Sequence, residues 1–347
     1  MEFQDLLNHY TKKGELYTTN SDNRLLCFAC GHRCIIGEGK LGICKVRFND
    51  HGILKVPYGY VGALQLDPIE KKPFFHALPG ALALSFGMLG CDFHCGYCQN
   101  WITSQAIRDP NAIEYPKLIS PQAIVDKAIQ LGAKVITSTY NEPLITSEWA
   151  KEIFIMARQR GLKTSYVSNG NATTEVLDYM QDCLDFYKID LKSFQDKHYR
   201  QLGGQLETVL NSIVDIYRRG IWLEIVTLII PGFNDSAEEI KEMAAYLASV
   251  SKQIPWHITA FHKDYKMTEP DDTSPKTLIY AYEIGKEAGL DFVYTGNKPG
   301  QTGHRENTYC PKCQNLLIER IGFTVIKNDL QKGCCPQCHT VIPGRWD

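Results

Sequence analysis

Between residues 81 and 294, short apolar and β-branched runs alternate with helical stretches of about 10–15 residues. That alternation builds βαβ units and a parallel sheet. The first run, 81–87, is wholly apolar apart from Ser85 and ends at a loop. Residues 120–132 then carry a Ser cap, a proline at the first helical position and a closing glycine, the signals that start and stop a helix. Further strands are expected at 134–140, 163–168, 185–191, 221–230 and 256–261, with a last one at 291–294. Helices are expected through Trp149, Phe154 and Met156 to Gly161, over 173–181, up to Gly220, and from 236 to about 250. Six strands before residue 262 are fewer than the eight that close a (β/α)8 barrel. The fold class is therefore α/β, either a partial barrel or a flavodoxin-like doubly wound sheet. In both, the loops at the carboxyl ends of the strands carry the active site.

The loop after the first strand reads Gly90-Cys91-Asp92-Phe93-His94-Cys95-Gly96-Tyr97-Cys98. A CxxxCxxC triplet supplies three thiolates, one fewer than the four that normally hold an iron–sulfur cluster or close a structural zinc site. An open coordination position is where chemistry takes place. The chain has 13 cysteines, and only Cys183, a small buried hydrophobe by its context, lies outside three groups. Residues 1–7 lack the basic-then-apolar pattern of a signal peptide, so these cysteines point to metal and redox chemistry in a reducing cytoplasm, not to disulfides. A net charge of −2 gives no electrostatic case for nucleic acid or an acidic membrane. No apolar stretch reaches the ~20 residues of a membrane span.

Four strand ends carry polar residues. The second ends in Thr139-Tyr140-Asn141-Glu142-Pro143, which is either a turn before proline or a carboxylate placed for a cation. The third ends in Val167-Ser168-Asn169-Gly170, an Asn-Gly turn or a set of hydrogen-bonding groups for a ligand. The fourth carries Lys188-Ile189-Asp190-Leu191-Lys192, an ion pair or a polar site. The sixth carries His257, a satisfied core histidine or a ligand contact.

The triplet's spacing and its place after a strand resemble the radical S-adenosylmethionine (SAM) superfamily. The resemblance implies a [4Fe–4S] cluster on Cys91, Cys95 and Cys98 whose unique iron is chelated by SAM. Reduced flavodoxin or ferredoxin would supply the electron that cleaves SAM to a 5′-deoxyadenosyl radical. It also implies a six-stranded, three-quarter barrel. Glu142-Pro143 matches the end of the Gly-Gly-Glu-Pro motif found there, with Tyr140-Asn141 in place of the glycines. By the same resemblance Tyr97 packs near adenine, and Tyr140, Asn141, Glu142, Ser168, Asn169, Asp190, Lys192 and His257 are SAM-binding residues.

Ile189-Asp190-Leu191-Lys192, with His198-Tyr199 and Leu202-Gly203-Gly204, is similar to activases of glycyl-radical enzymes. In those, the aspartate corresponding to Asp190 helps bind a monovalent cation beside SAM. They can carry an acid where this chain has Val167. A narrower likeness joins Asp67-Pro68-Ile69-Glu70-Lys71-Lys72-Pro73, Thr139-Tyr140-Asn141-Glu142-Pro143, Trp256-His257 with Phe261-His262-Lys263-Asp264-Tyr265-Lys266-Met267, and Glu306-Asn307-Thr308-Tyr309-Cys310-Pro311-Lys312-Cys313. Together these resemble the AmmeMemoRadiSam-system radical SAM enzymes, which implies AMMECR-type and Memo-type proteins as partners. In that reading the 261–267 run and Lys71-Lys72 line a substrate cavity; exposed loop charges are the plainer account of the two lysines. The expected activity is hydrogen abstraction from a small-molecule substrate. A glycyl-radical activase is the alternative, and a zinc-holding scaffold is the non-enzymatic rival.

Cys310-Pro311-Lys312-Cys313 and Cys335-Pro336-Gln337-Cys338 have zinc-ribbon spacing, two CxxC knuckles that place four thiolates on one metal, with Cys334 spare. Short strands at 316–320 and 323–326 would lie between them, in a module too small to hold together without its metal. Cys27, Cys30, Cys34 and Cys44 form a fourth-ligand-complete set that suits either zinc or an auxiliary cluster. The expected division is an amino-terminal Cys-rich segment (1–77), a radical SAM core (78–300) and a zinc-ribbon-like module (301–347).

Overall fold

A computed structural model describes residues 3–20, 22–112 and 114–347; residues 1 and 2 of the amino-terminal run lie outside that description. The chain forms two compact units. One comprises Met1–Asp67, Leu82–Tyr187 and Arg200–Ile221, the other Pro68–Ala81, Lys188–Tyr199 and Trp222–Asp347.

In the first unit, strands β1 (Leu82–Gly87), β2 (Val135–Ser138) and β3 (Lys163–Ser168) run parallel, with β2 between its neighbours. Val135 faces Ala83 on one side and Lys163 on the other. All of β2 is buried, as expected of a strand covered on both faces. The connecting helices begin where side-chain caps dictate. Ser120 Oγ accepts from Ala123 N ahead of α1 (Pro121–Gln130), and Thr173 Oγ1 accepts from Val176 N ahead of α3 (Thr174–Met180). Between them lies α2 (Ser147–Gln159), and α4 (Leu206–Arg218) follows later in the chain. Ahead of the sheet the chain forms short hairpins: Leu25–Cys27 pairs with Tyr17–Thr19 and Ile35–Ile36, and Ile53–Pro57 pairs with Thr11–Lys13 and Phe48–Asp50. Cys183 is buried in a one-turn helix, as its sequence context implied.

Strand β4 (Phe186–Asp190) precedes the second parallel set, β5 (Trp222–Ile229), β6 (Trp256–Ala260) and β7 (Val293–Gly296). Helices α5 (Ala237–Val250) and α6 (Pro275–Glu287) are capped by Ser236 and Ser274. The fold is thus mixed α/β with a partial parallel sheet. The last strand continues two residues beyond its expected end at 294, to Gly296, where a Cβ would stand 2.9 Å from the Thr259 side chain. The second strand stops short of its expected end because Tyr140 takes φ +69°, outside the β region.

Also in the second unit, Thr308–Tyr309, Leu316–Ile321 and Thr324–Asn328 form a small antiparallel sheet. Cys310, Cys335, Leu317, Ile318 and Ile342 pack with Phe75, Phe292 and Tyr294 in one apolar cluster. Among the described residues, no helix is long and apolar enough to cross a membrane.

Candidate functional site

The CxxxCxxC loop leaves β1 through a constriction that admits only glycine. A Cβ on Gly87 would meet the Thr139 carbonyl oxygen at 2.3 Å. Met88 N donates to Asn141 Oδ1 at 3.0 Å, and Gly90, at φ +94°, donates its N–H to Thr103 O at 3.0 Å. The Arg108 guanidinium then fixes the loop from outside, donating to Cys91 O at 2.6 Å. Cys95 is buried, while Cys91 and Cys98 are half-buried, and Tyr97 is buried beside them. Cys91 Sγ accepts from Phe93 N at 3.4 Å, and Cys98 Sγ lies 3.1 Å from Ser104 Oγ. Three thiols on one loop, two of them still accessible, fit an iron–sulfur cluster that leaves one iron to another ligand.

Asp92, inside the triplet, is fully buried. Its two carboxylate oxygens accept from Asn169 Nδ2 and Asn171 Nδ2, each at 2.8 Å. Asn169 N in turn donates to Glu142 Oε2 at 2.8 Å, and Ser168 Oγ to Glu142 Oε1 at 2.7 Å. Glu142 also caps the turn Pro143–Thr146 through Leu144 N. Burial, and then the nearby Asp92 charge, push the Glu142 carboxyl up to about 8 against these hydrogen bonds. Tyr140 O accepts from Thr103 Oγ1 at 2.7 Å, and its hydroxyl donates to Asp67 at 3.4 Å. The structure therefore brings Tyr140, Asn141, Glu142, Ser168 and Asn169 together with the cysteine loop. Asp92, Asn171, Thr103 and Arg108 complete this network and were not among the sequence candidates. The visible signal for Asp92 was its place inside the CxxxCxxC triplet, next to Cys91.

Three other candidates belong to the second unit. Asp190 pairs with both Lys188 and Lys192, whose ammonium groups hold its carboxyl below the usual range despite burial. His257 Nε2 is bonded to Glu224 at 2.6 Å, and its ring lies edge-on to Phe75 and stacked on Tyr294. Glu224 also accepts from Phe75 N, His76 N and Trp222 Nε1, each at 2.9 Å. Lys72 is buried, whereas Lys71, His262, Lys263 and Lys266 are exposed. The exposed-charge reading therefore holds for Lys71 and not for Lys72.

Cys310, Cys313, Cys335 and Cys338 bring their sulfurs within 4.8 Å of one another, a group that could bind a metal. Thr340 Oγ1 lies 3.2 Å from Cys338 Sγ, and its hydrogen bond lowers that thiol's pKa.

A profile of the radical SAM superfamily matches residues 87–247, the span that holds the triplet, Glu142 and Asn169. The chain belongs to the radical SAM superfamily, and it is homologous to activating enzymes of glycyl-radical enzymes. It is 36% identical over 331 residues to the uncharacterized protein MJ0808 of Methanocaldococcus jannaschii, covering 94% of this chain and 97% of that one. It is 26% identical over 178 residues to the 4-hydroxyphenylacetate decarboxylase activating enzyme of Clostridioides difficile, a match to 47% of this chain and 55% of the enzyme. The chain thus spans about half the length of that relative. In fold it is similar to Streptococcus suis SuiB, solved with S-adenosylmethionine bound, at a TM-score of 0.50 and 13% identity over 70% of this chain and 56% of SuiB.

Proposed function

We propose that this chain is an enzyme that binds SAM at Cys91, Cys95 and Cys98 and abstracts hydrogen from a small-molecule substrate. One arrangement carries the reading: the cysteine loop is tied through Asp92 to Asn169, and Asn169 to Glu142. The [4Fe–4S] cluster, when bound, supplies the electron that cleaves SAM to a 5′-deoxyadenosyl radical.

The protein's own groups prepare that event. Asp92 and Glu142 put two carboxyls in a buried site, an environment that favours a cationic ligand such as the sulfonium. Ser168 and Asn169 hold Glu142 in place, and Asn141 fixes the start of the loop. Tyr97 packs near adenine. Asp190, Lys192 and His257 are proposed as further SAM contacts on the family resemblance. The C-terminal thiols hold structural zinc, and the protein works in the cytoplasm with reduced flavodoxin or ferredoxin as donor. The AmmeMemoRadiSam likeness adds AMMECR-type and Memo-type proteins as partners, with Lys72 and the 261–267 run toward the substrate.

Activation of a glycyl-radical partner is the second reading, favoured by the match to a decarboxylase activating enzyme. Anaerobically reconstituted protein, reduced with dithionite, should convert SAM to 5′-deoxyadenosine. A fully loaded protein that makes none, even with candidate substrates, would refute the proposal. A glycyl-type paramagnetic signal on a partner protein would select the second reading.

A further inference from the structure

Cys27, Cys30, Cys34 and Cys44 have no part in the chemistry above, yet the fold gathers them. Cys27 ends its strand by donating its N–H to Cys34 O at 2.9 Å. Arg33, at φ +44°, closes a turn onto Cys30 O at 3.1 Å, and Cys34 Sγ accepts from Ile43 N at 3.5 Å. Cys27, Cys30 and Cys44 are buried. Cys27 is an electrostatic neighbour of all three others, and Cys30 of Cys44.

Arg47 adds a second, independent observation. Its side chain is 1% exposed, and its terminal nitrogens donate to Glu148 Oε1 and Oε2 at 2.7 Å and to Ile145 O at 3.0 Å. Among the described residues its Nε–H has no partner. Buried donors are almost always satisfied, and Cys27 and Cys44 are among the charges that this guanidinium feels. An anionic sulfur cluster beside it would accept the orphan proton.

The same segment also lies against the catalytic loop. The Arg108 guanidinium that holds Cys91 O donates to Ile43 O at 2.6 Å. Cys44 O would be 3.3 Å from a Cβ on Gly90, next to Cys91. His32 Nε2 stands 3.2 Å from Asp92 O, and its ring meets Phe93 edge-on at 6.3 Å.

We propose that Cys27, Cys30, Cys34 and Cys44 hold a second iron–sulfur cluster, and that electrons reach the catalytic loop through it. A low-potential protein donor gives up one electron, the N-terminal cluster gains it, and then passes it on without net gain of atoms or protons. Zinc, having no redox chemistry, would have no such use for this contact. The site stands on its own residues; only the electron's destination rests on the function proposed above.

Replacing Cys91, Cys95 and Cys98 together by alanine isolates the proposed cluster. After anaerobic reconstitution with iron and sulfide, this variant should retain about four irons per chain, against about eight in the unaltered protein. Dithionite should give it a paramagnetic signal of its own. Should the variant not fold, the iron count and spectrum of the unaltered protein decide the matter. About four irons with about two zincs there would overturn the second cluster while leaving SAM cleavage intact. About eight irons without any 5′-deoxyadenosine would instead refute the proposed function and leave this site standing. Cys30→Ser with Cys44→Ser should halve the iron and abolish SAM cleavage driven by reduced flavodoxin, while dithionite-driven cleavage persists. Unchanged flavodoxin-driven cleavage in that variant would overturn the electron route.

Discussion

Asn169 Nδ2 and Asp92 Oδ1 are 2.8 Å apart, although 77 residues separate them in the chain. This bond joins the end of β3 to the loop that carries Cys91, Cys95 and Cys98.

Asp92→Asn should therefore uncouple cleavage from cluster assembly. The substituted amide retains one acceptor for the two donors Asn169 and Asn171, leaving one buried amide unpaired at a cost of about 1–3 kcal/mol. Iron content should stay near that of the parent, while 5′-deoxyadenosine formation falls about 10- to 100-fold, as when groups supporting a metal ligand are lost. Iron analysis beside product quantification checks both halves; equal loss of iron and activity would show Asp92 to be needed for assembly.

If Glu142 meets SAM as proposed, binding should depend on pH. With its carboxyl raised to about 8, it is mostly protonated at pH 7 in the free protein. That protonation is favourable to the fold below the group's ordinary range near 4.3, and the contribution is lost as pH rises through about 8. A cationic ligand favours the ionised form, so SAM should release a proton and bind more tightly as pH rises toward 8. Calorimetry in buffers of different ionisation enthalpy measures the proton directly. Glu142→Gln should abolish the release and weaken binding roughly tenfold, about 1.4 kcal/mol.

Much of this was legible beforehand because it rests on local signals. The Ser and Thr residues that open α1, α3 and α5, and the buried apolar strands, each need only a few neighbouring residues to declare themselves, whereas α6, capped by Ser274, was not among the expected helices. The cysteine triplet and the CxxC pairs are legible for the same reason. Asp92, Asn171 and Glu224 were not, because their partners come from distant strands and an acid inside a loop looks like ordinary polar punctuation. Arg47 was hidden likewise, since Glu148 lies 101 residues away. The hairpins before Asp67 are too short, and their alternation too weak, to stand out from loop.

Asp190 leads to a test with salts. Activases that it resembles set a monovalent cation beside the corresponding aspartate, but here Lys188 and Lys192 already flank it. Exchanging potassium for sodium or choline should leave 5′-deoxyadenosine formation unchanged within about twofold, a spread of ~0.4 kcal/mol. Strong dependence on one cation would mean that the lysines move aside.

Cys313→Ser and Cys95→Ser should fail in opposite ways. The first removes a ligand from the C-terminal quartet and should lower the unfolding temperature and the zinc content, because metal binding and folding are coupled, with iron near normal in the protein that remains folded. The second should abolish cleavage of SAM and lower iron while sparing the fold. Metal analysis with thermal unfolding separates them; iron lost and zinc retained in Cys313→Ser would reverse the assignment.

The segment Pro68–Ala81 belongs to a unit whose other parts lie far along the chain. His76 Nδ1 is bound to Pro343 O, Leu78 N donates to Arg345 O, and Arg320 donates to Phe75 O. During synthesis these partners emerge some 240–270 residues later. At roughly 5–20 residues per second, that is a wait of about 10–50 s. Even the earlier partner Glu224, which accepts from Phe75 N and His76 N, emerges 149 and 148 residues behind them, so Phe74 and Phe75, both buried in the finished protein, wait for their unit to assemble. A product that ends before residue 343 lacks the Pro343 and Arg345 carbonyls that bind His76 and Leu78, so its 68–81 segment should be cut by protease sooner than that of the full chain.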